Sequence, residues 1–215
     1  DKIVDILDES AIPAGAEVID AKGGYVAPGL IDVHIHGYVG LDVSDGNPDD
    51  IRKISEGIVQ NGVTLWQPTT MTIAKEKILK AYDAVRSVME ESKTWNGSAI
   101  HGVHSEGPFI NPKKKGAQEE KSILKPDADM ILDNADVVRY VTLAPEMDED
   151  FAAIRKIVSN SNVVVSMGHT DADFDCAMRA VDAGVRSTTH LFNAMSALNH
   201  RNPGVVGAAL KSDVY

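Results

Sequence analysis

The sequence predicts an α/β fold of consecutive βα units, and three observations carry that expectation. From about Leu30 onward, apolar runs of strand length alternate with longer stretches, the pattern of a parallel sheet with crossover helices. Those longer stretches repeat their apolar residues at three- and four-residue spacing, as helices with one buried face do. Finally, the residues with chemical capacity gather where the strand-like runs stop: His34/His36, Thr69/Thr70, His104/Glu106, His169 and His190. Periodicity alone leaves two architectures open, a complete doubly wound sheet and most of an eight-stranded barrel. The third observation favours the barrel, where the C-terminal strand ends converge on one mouth. In a doubly wound sheet they would be spread along a line, with function concentrated at one switch point.

Taken in order, residues 1–7 and 17–20 read as short strands, with turns at Ala14-Gly15 and Lys22-Gly23-Gly24 and no helical stripe. They suggest a small β region beside the main domain. The barrel strands are expected at residues 30–37, 63–69, 99–106, 138–144, 163–168 and 187–191. Between the first two, Asn47 reads as an N-cap, Pro48 as the first helical residue, Ile51, Ile54 and Ile58 as the buried face and Gly62 as the stop. Ile78, Ala81, Tyr82, Val85, Val88 and Met89 form the next stripe. Phe151, Ile154, Ile157 and Val158 form another behind Asp148, and Phe174, Ala177, Met178 and Val181 one more before Gly184.

Composition narrows the function classes. In 215 residues, Lys+Arg 21 against Asp+Glu 32 gives a net charge of −11, which disfavours nucleic acid or an anionic membrane as partner. Cys176 is the single cysteine, so no intrachain disulfide forms, a zinc finger is excluded, and a reducing cytoplasm is the expected compartment. No run approaches the roughly 18 apolar residues of a membrane span, and the N-terminus lacks the order of a signal peptide.

The strand ends supply the candidate chemistry. His34 and His36, two apart on a strand, share a face and can reach one metal ion, and Gly37 and Gly40 follow them. A lone HxH pair also arises by chance. Glu106 shares a face with His104, and a carboxylate among imidazoles in a barrel mouth calls for a cation. The competing reading pairs it with a lysine or arginine, but none stands at these strand ends. His169 and His190 complete a Glu/His/His set with room for a further ligand, a donor set suited to zinc or iron rather than magnesium. Arg201, in a Gly/Pro loop, offers a bidentate contact to an anion or is simply solvated. For Lys113-Lys114-Lys115 a solvated loop is the better reading.

The segments VIDAKGGYVAPGLIDVHIHG, TLWQPTT, HSEGPFINPKKKGAQ, VSMGHTDAD and THLFNAMSALNHRNPG, in this order, resemble the amidohydrolase superfamily and, within it, the N-acetylglucosamine-6-phosphate deacetylases. The first segment indicates only the superfamily, whereas HSEGPF with GHTDA and THLFNAM is far more specific. The resemblance implies a (β/α)8 TIM barrel of the metal-dependent hydrolase type over residues 28–215, incomplete after about six βα units, with residues 1–27 part of a small flanking β-sandwich. It implies hydrolysis of the acetamide of N-acetylglucosamine 6-phosphate to acetate and glucosamine 6-phosphate, one or two divalent transition metal ions, and a homodimer. Carried over by position, Glu106, His169 and His190 are the principal metal ligands, and His34 and His36 match a pair that supports a second ion. Asn193, Ala194 and Arg201 match contacts to the substrate phosphate, and Ala117 and Gln118 a loop touching the sugar, with Gln118 where many members carry histidine. The general acid/base aspartate is expected beyond Tyr215, together with strands seven and eight, so the biological protein is expected to be longer. Neither Asp171, read as a partner of His169 or a helix cap, nor Asp32, inside the first strand, replaces it. Two other readings are an inert fragment that binds metal or ligand without turnover, and a related cyclic-amide hydrolase or deaminase. The latter has no general need of the Asn193/Arg201 phosphate site.

Overall fold

The apolar runs ending in polar residues become six parallel strands in the computed structural model, which describes residues 2–215. They are β1 (Leu30–Ile35), β2 (Val63–Thr70), β3 (Val103–Glu106), β4 (Val138–Leu143), β5 (Val164–Met167) and β6 (Ser187–Thr188). Each pairs in parallel with the next, so spatial order follows sequence order without the reversal of a doubly wound sheet. The sheet curls strongly enough to bring the rings of His34, on β1, and His190, just beyond β6, to 5.7 Å between centroids. This is the wall of a barrel, and it closes the choice that periodicity left open.

The outer layer follows from sequence punctuation. Helix α1 (Pro48–Ile58) starts where the Asn47 side chain accepts from Asp49 N, buries Ile51, Ile54 and Ile58, and leads to Gly62 at φ 83°, a left-handed position that suits glycine. Each isoleucine stabilises the contact with the sheet by about 1.5–3 kcal/mol. Trp66 of β2 is fully buried and its indole N–H donates to Ser55 Oγ of α1 at 2.9 Å, locking helix to strand. Helix α2 (Lys75–Met89) buries Ile78, Ala81, Tyr82, Val85 and Val88 of the expected stripe and half-buries Met89 at its end, and Tyr82 donates to Ser105 Oγ of β3 at 2.6 Å. Helices α3 (Ala128–Leu132), α4 (Ala152–Asn160), α5 (Phe174–Ala183) and α6 (Gly204–Lys211) complete the layer. Asp148 accepts from Ala153 N and Ile154 N, so it caps α4 across Asp150 and Phe151, both at positive φ.

Several expectations are corrected. Residues 2–29 contain no strand, only the turns and a 3-10 helix at Glu9–Ala11. The expected strands over 1–7, whose first residue lies outside the described residues, and over 17–20 find no partner ladder among the described residues, and Ile3, Val4, Val18 and Ile19 are exposed. A strand with nothing to pair to gains no backbone hydrogen bonds over solvated chain. The third run is interrupted: Ala99–Ile100 pairs with β2, then His101 and Gly102, the latter at φ 147°, break the strand before β3. Val158 is 38% exposed, on the rim of its helix. Asp173, not Asp171, caps α5. At the other side of the sheet, Tyr215 donates its N–H to Arg186 O and accepts from Thr188 N, lying alongside β6. No helix among the described residues is long and apolar enough to cross a membrane.

Candidate metal centre

All five expected ligands sit at C-terminal strand ends. His34 lies in β1 and His36 just after it, Glu106 is the last residue of β3, and His169 and His190 follow β5 and β6 by two residues. His169 and His190 hold φ values of 47° and 37°, a conformation costing non-glycine residues of order 1–3 kcal/mol that turns the chain as each strand stops. Strain of this kind persists where the surroundings over-determine it and concentrates at functional sites.

The five side chains meet at Glu106, whose residue is 2% exposed. Its Oε1 lies 3.3, 3.2 and 3.0 Å from the Nε2 atoms of His34, His169 and His190, and its Oε2 lies 2.9 Å from His36 Nε2. Two ligand groups result, His34/His36/Glu106 and Glu106/His169/His190, sharing the carboxylate. Burial alone would raise the Glu106 pKa, but hydrogen bonding to four imidazoles overrides it and holds the carboxyl well below the usual range. Hydrogen bonding to Glu106 raises the pKa of His190, and at His36 burial pulls the pKa down but the hydrogen bond and charge of Glu106, with the Thr69 carbonyl and the Asp42 charge, together leave it raised.

The proton order of these rings tests whether a metal fits. The Nδ1 atoms of His36, His169 and His190 contact the carbonyl oxygens of Thr69, Lys114 and Asn193 at 3.1, 2.8 and 3.0 Å. A carbonyl only accepts, so each Nδ1 carries the proton, and in the neutral ring Nε2 presents a lone pair. The lone pairs of His169 and His190 point at one another, with their Nε2 atoms 3.1 Å apart, and that of His36 lies 3.2 Å from His34 Nε2. Converging lone pairs around a buried carboxylate repel unless a cation or added protons sit between them. The donor set, imidazole nitrogens anchored through their far nitrogens plus a carboxylate, therefore fits a divalent metal.

The remaining expected residues divide. Gln118 is 4% exposed and turned inward: its Nε2 donates to Glu106 Oε2 at 2.7 Å and its Oε1 accepts from Thr72 N at 2.6 Å. It orients the shared carboxylate, while neighbouring Ala117 is exposed. Asn193 and Ala194 form the turn directly behind His190, with Ala194 O accepting from Thr170 N next to His169. Arg201 is exposed, and its guanidinium makes no ion pair among the described residues. Asp32 accepts from His34 N, and Asp171 pairs with Lys114, so neither joins the ligand cluster. Sequence reasoning missed Glu146, which accepts from Asn111 Nδ2, Thr170 Oγ1 and Asp171 N and so ties the loops after β3 and β5 together. Nothing in its local sequence distinguishes it from a surface acid.

Replacing Gln118 by alanine should leave the fold intact and lower metal affinity about 10- to 100-fold, the usual effect of removing a partner that orients a ligand. Competition for zinc with a chromophoric chelator would measure it.

A model of the amidohydrolase family matches residues 25–211. The chain is 37% identical over 209 residues to the N-acetylglucosamine-6-phosphate deacetylase of Bacillus subtilis (strain 168), covering 94% of this chain and 52% of that protein. With the Homo sapiens protein of the same name the values are 38% over 197 residues, 87% and 47%. The crystal structure of N-acetylglucosamine-6-phosphate deacetylase from Pasteurella multocida superposes with a TM-score of 0.90 at 34% identity, covering 100% of this chain and 56% of that one. The chain spans about half the length of the curated relatives it matches. Strand order, the shared Glu106 and the family match over residues 25–211 agree, and the chain belongs to the amidohydrolase family.

Proposed function

We propose that the protein hydrolyses the acetamide of N-acetylglucosamine 6-phosphate to glucosamine 6-phosphate and acetate. The observation that carries this reading is the convergence of four imidazole Nε2 atoms on the buried Glu106 carboxylate, in a chain similar over most of its length to deacetylases of that name. Glu106, His169 and His190 would hold the principal ion, and His34 and His36, beside the same carboxylate, would hold a second. Zinc or iron suits these nitrogen and carboxylate donors better than magnesium. When bound, the ion supplies Lewis-acid polarisation of the amide carbonyl and acidifies water for attack. Glu106 balances the cationic charge. The carbonyls of Thr69, Lys114 and Asn193 keep three Nε2 lone pairs turned inward, and Gln118 fixes the angle of the carboxylate.

Asn193, Ala194 and Arg201 take the sugar phosphate in this reading, with Ala117 beside the sugar. An exposed guanidinium with no ion pair among the described residues can make the bidentate contact. Residues 1–27 are part of a small domain distinct from the barrel of residues 28–215 in this reading, which is supported by the exposure of Ile3, Val4, Ile6, Val18 and Ile19 rather than their burial in the barrel core. A cytoplasmic homodimer fits the single cysteine and the resemblance.

Acetate release from N-acetylglucosamine 6-phosphate and from the unphosphorylated sugar tests the assignment. A strong preference for the phosphorylated sugar is expected, and the opposite preference overturns it. Arg201→Ala should raise KM for the phosphorylated sugar about 10- to 100-fold, for a charge-assisted contact worth roughly 1.5–3 kcal/mol, and leave metal content unchanged. Steady-state kinetics with elemental analysis would check both.

A further inference from the structure

His104 lies two residues before Glu106, is buried, and donates to none of the five ligand side chains. Its surroundings point instead to β1. Asp32 pairs with Trp66 and Ile35 with Pro68, so three steps along β1 match two along β2, and β1 carries one extra residue at Val33–His34. Pro68 has no N–H to offer the bulged strand. Side chains satisfy the bulge instead: His34 N donates to Asp32 Oδ1 at 3.0 Å, Ile35 N donates to Thr69 Oγ1 at 3.0 Å, and Val33 O meets His104 Nδ1 at 2.8 Å. The His104 ring also stands edge-on to the His34 ring, with 4.8 Å between centroids. A bulge re-aims the side chains beside it, and here it sits at the start of the His34-Ile35-His36 pair.

The proton order of His104 follows from its partners. Val33 O only accepts, so Nδ1 carries the proton and Nε2 accepts from Thr142 Oγ1 at 2.7 Å. Thr142 has spent its single hydroxyl proton, so Thr189 donates to it at 2.6 Å, and Ser166 in turn donates to Thr189 at 2.7 Å. One oriented chain thus runs from Ser166 on β5, through Thr189 beside His190 and Thr142 on β4, to the carbonyl that precedes His34.

We propose that His104 is a positioning residue for the metal centre: it holds the β1 bulge through the Val33 carbonyl and so sets His34 and His36, while the hydroxyl chain fixes which of its nitrogens donates. The inference rests on the reading of His34 and His36 as ligands of a second ion. Asparagine at this position places an amide N–H near the Nδ1 site and keeps the donor to Val33 O, whereas glutamine reaches toward the Nε2 site and gives that donor up. Zinc stoichiometry by elemental analysis after dialysis, on the wild-type protein and on His104→Asn and His104→Gln, is the test. Two ions are expected in the wild type and in His104→Asn, and one in His104→Gln, lost from the His34/His36 side. Two ions in His104→Gln, or one in His104→Asn, overturns the inference. A wild type that holds fewer than two overturns the reading on which it rests, and with it this role. Imidazole nitrogen chemical shifts of the metal-free wild type supply a readout that needs no ion. A proton on Nδ1 and a bare Nε2 at His104 are expected, and a protonated Nε2 overturns the proposal.

Discussion

Glu106→Ala is expected to abolish metal binding at both halves of the site, because a single carboxylate faces all four imidazole Nε2 atoms. The Lewis-acid contribution then lost amounts to several kcal/mol, so the proposed deacetylation should fall by about three decades or more. Elemental analysis and acetate release would check the two effects together. Glu106→Gln separates charge from shape and carries a pH signature in the metal-free protein. The carboxyl of Glu106 is pushed below its ordinary value near 4.5, and His36 and His190 are raised above their ordinary value near 6.5. A lowered carboxylate adds stability that is present above the unfolded pKa and lost as pH falls through the folded one. A raised imidazole adds stability that is present below the unfolded pKa and lost as pH rises through the folded one. Both describe the same contacts, so the metal-free wild type should gain stability in the window between about pH 4.5 and the raised imidazole values. Thermal melts from acid to mildly alkaline pH should show that window in the wild type and its loss in Glu106→Gln. An unchanged profile would mean that other groups set the pH dependence.

Much of this site was legible in the sequence, and the parts that were not have physical reasons. His34, His36, Glu106, His169 and His190 each stand where an apolar run stops, and a barrel brings such ends together whatever the loops do. The helix faces were equally open to reading, since Ile51, Ile54 and Ile58 or Ile78, Tyr82 and Val85 recur at helical spacing. Gln118 was read only as part of a loop touching the sugar, because its contact with the carboxylate depends on a chain reversal that returns it to Glu106 from twelve residues away. Glu146 gave no local signal, its three partners being spread over two other loops. The bulge in β1 was hidden for a related reason. Pro68 marks a gap in the donors of β2, but only the pairing register reveals which strand takes the extra residue. The strands expected in residues 1–27 show the converse limit, since alternating apolar residues make a strand only where another strand can pair with them.

Gly107→Ala is expected to be the most damaging small substitution near the centre. Gly107 follows Glu106 directly and holds φ at 80°, in the left-handed region where a side chain costs roughly 1–2 kcal/mol. Space is short as well: a Cβ there would lie 2.1 Å from Thr72 Oγ1, and that hydroxyl is already committed, donating to Glu106 O at 3.0 Å. Gly107 N donates to Thr142 O at 3.0 Å and Gly107 O accepts from Ser105 Oγ at 2.7 Å, so the residue cannot slide aside without breaking its contacts to β4 and to β3. Overpacking of this kind typically adds about 1–3 kcal/mol, for a combined destabilisation of about 2–5 kcal/mol. For a chain of this size each kcal/mol lowers Tm by about 2–4 °C, so a drop of about 4–20 °C is expected in a thermal melt. Metal affinity should fall along with it, because the displaced Thr72 releases the backbone of Glu106, and Thr72 N also positions Gln118. Thr72→Val in the Gly107→Ala background tests the mechanism: if the clash with Oγ1 were the whole cause, a residue of similar volume at that place would restore nothing, whereas Thr72→Ala, which removes the clashing atoms, should recover part of the lost Tm. Failure of Thr72→Ala to recover any of it would assign the loss to backbone strain at φ 80° alone.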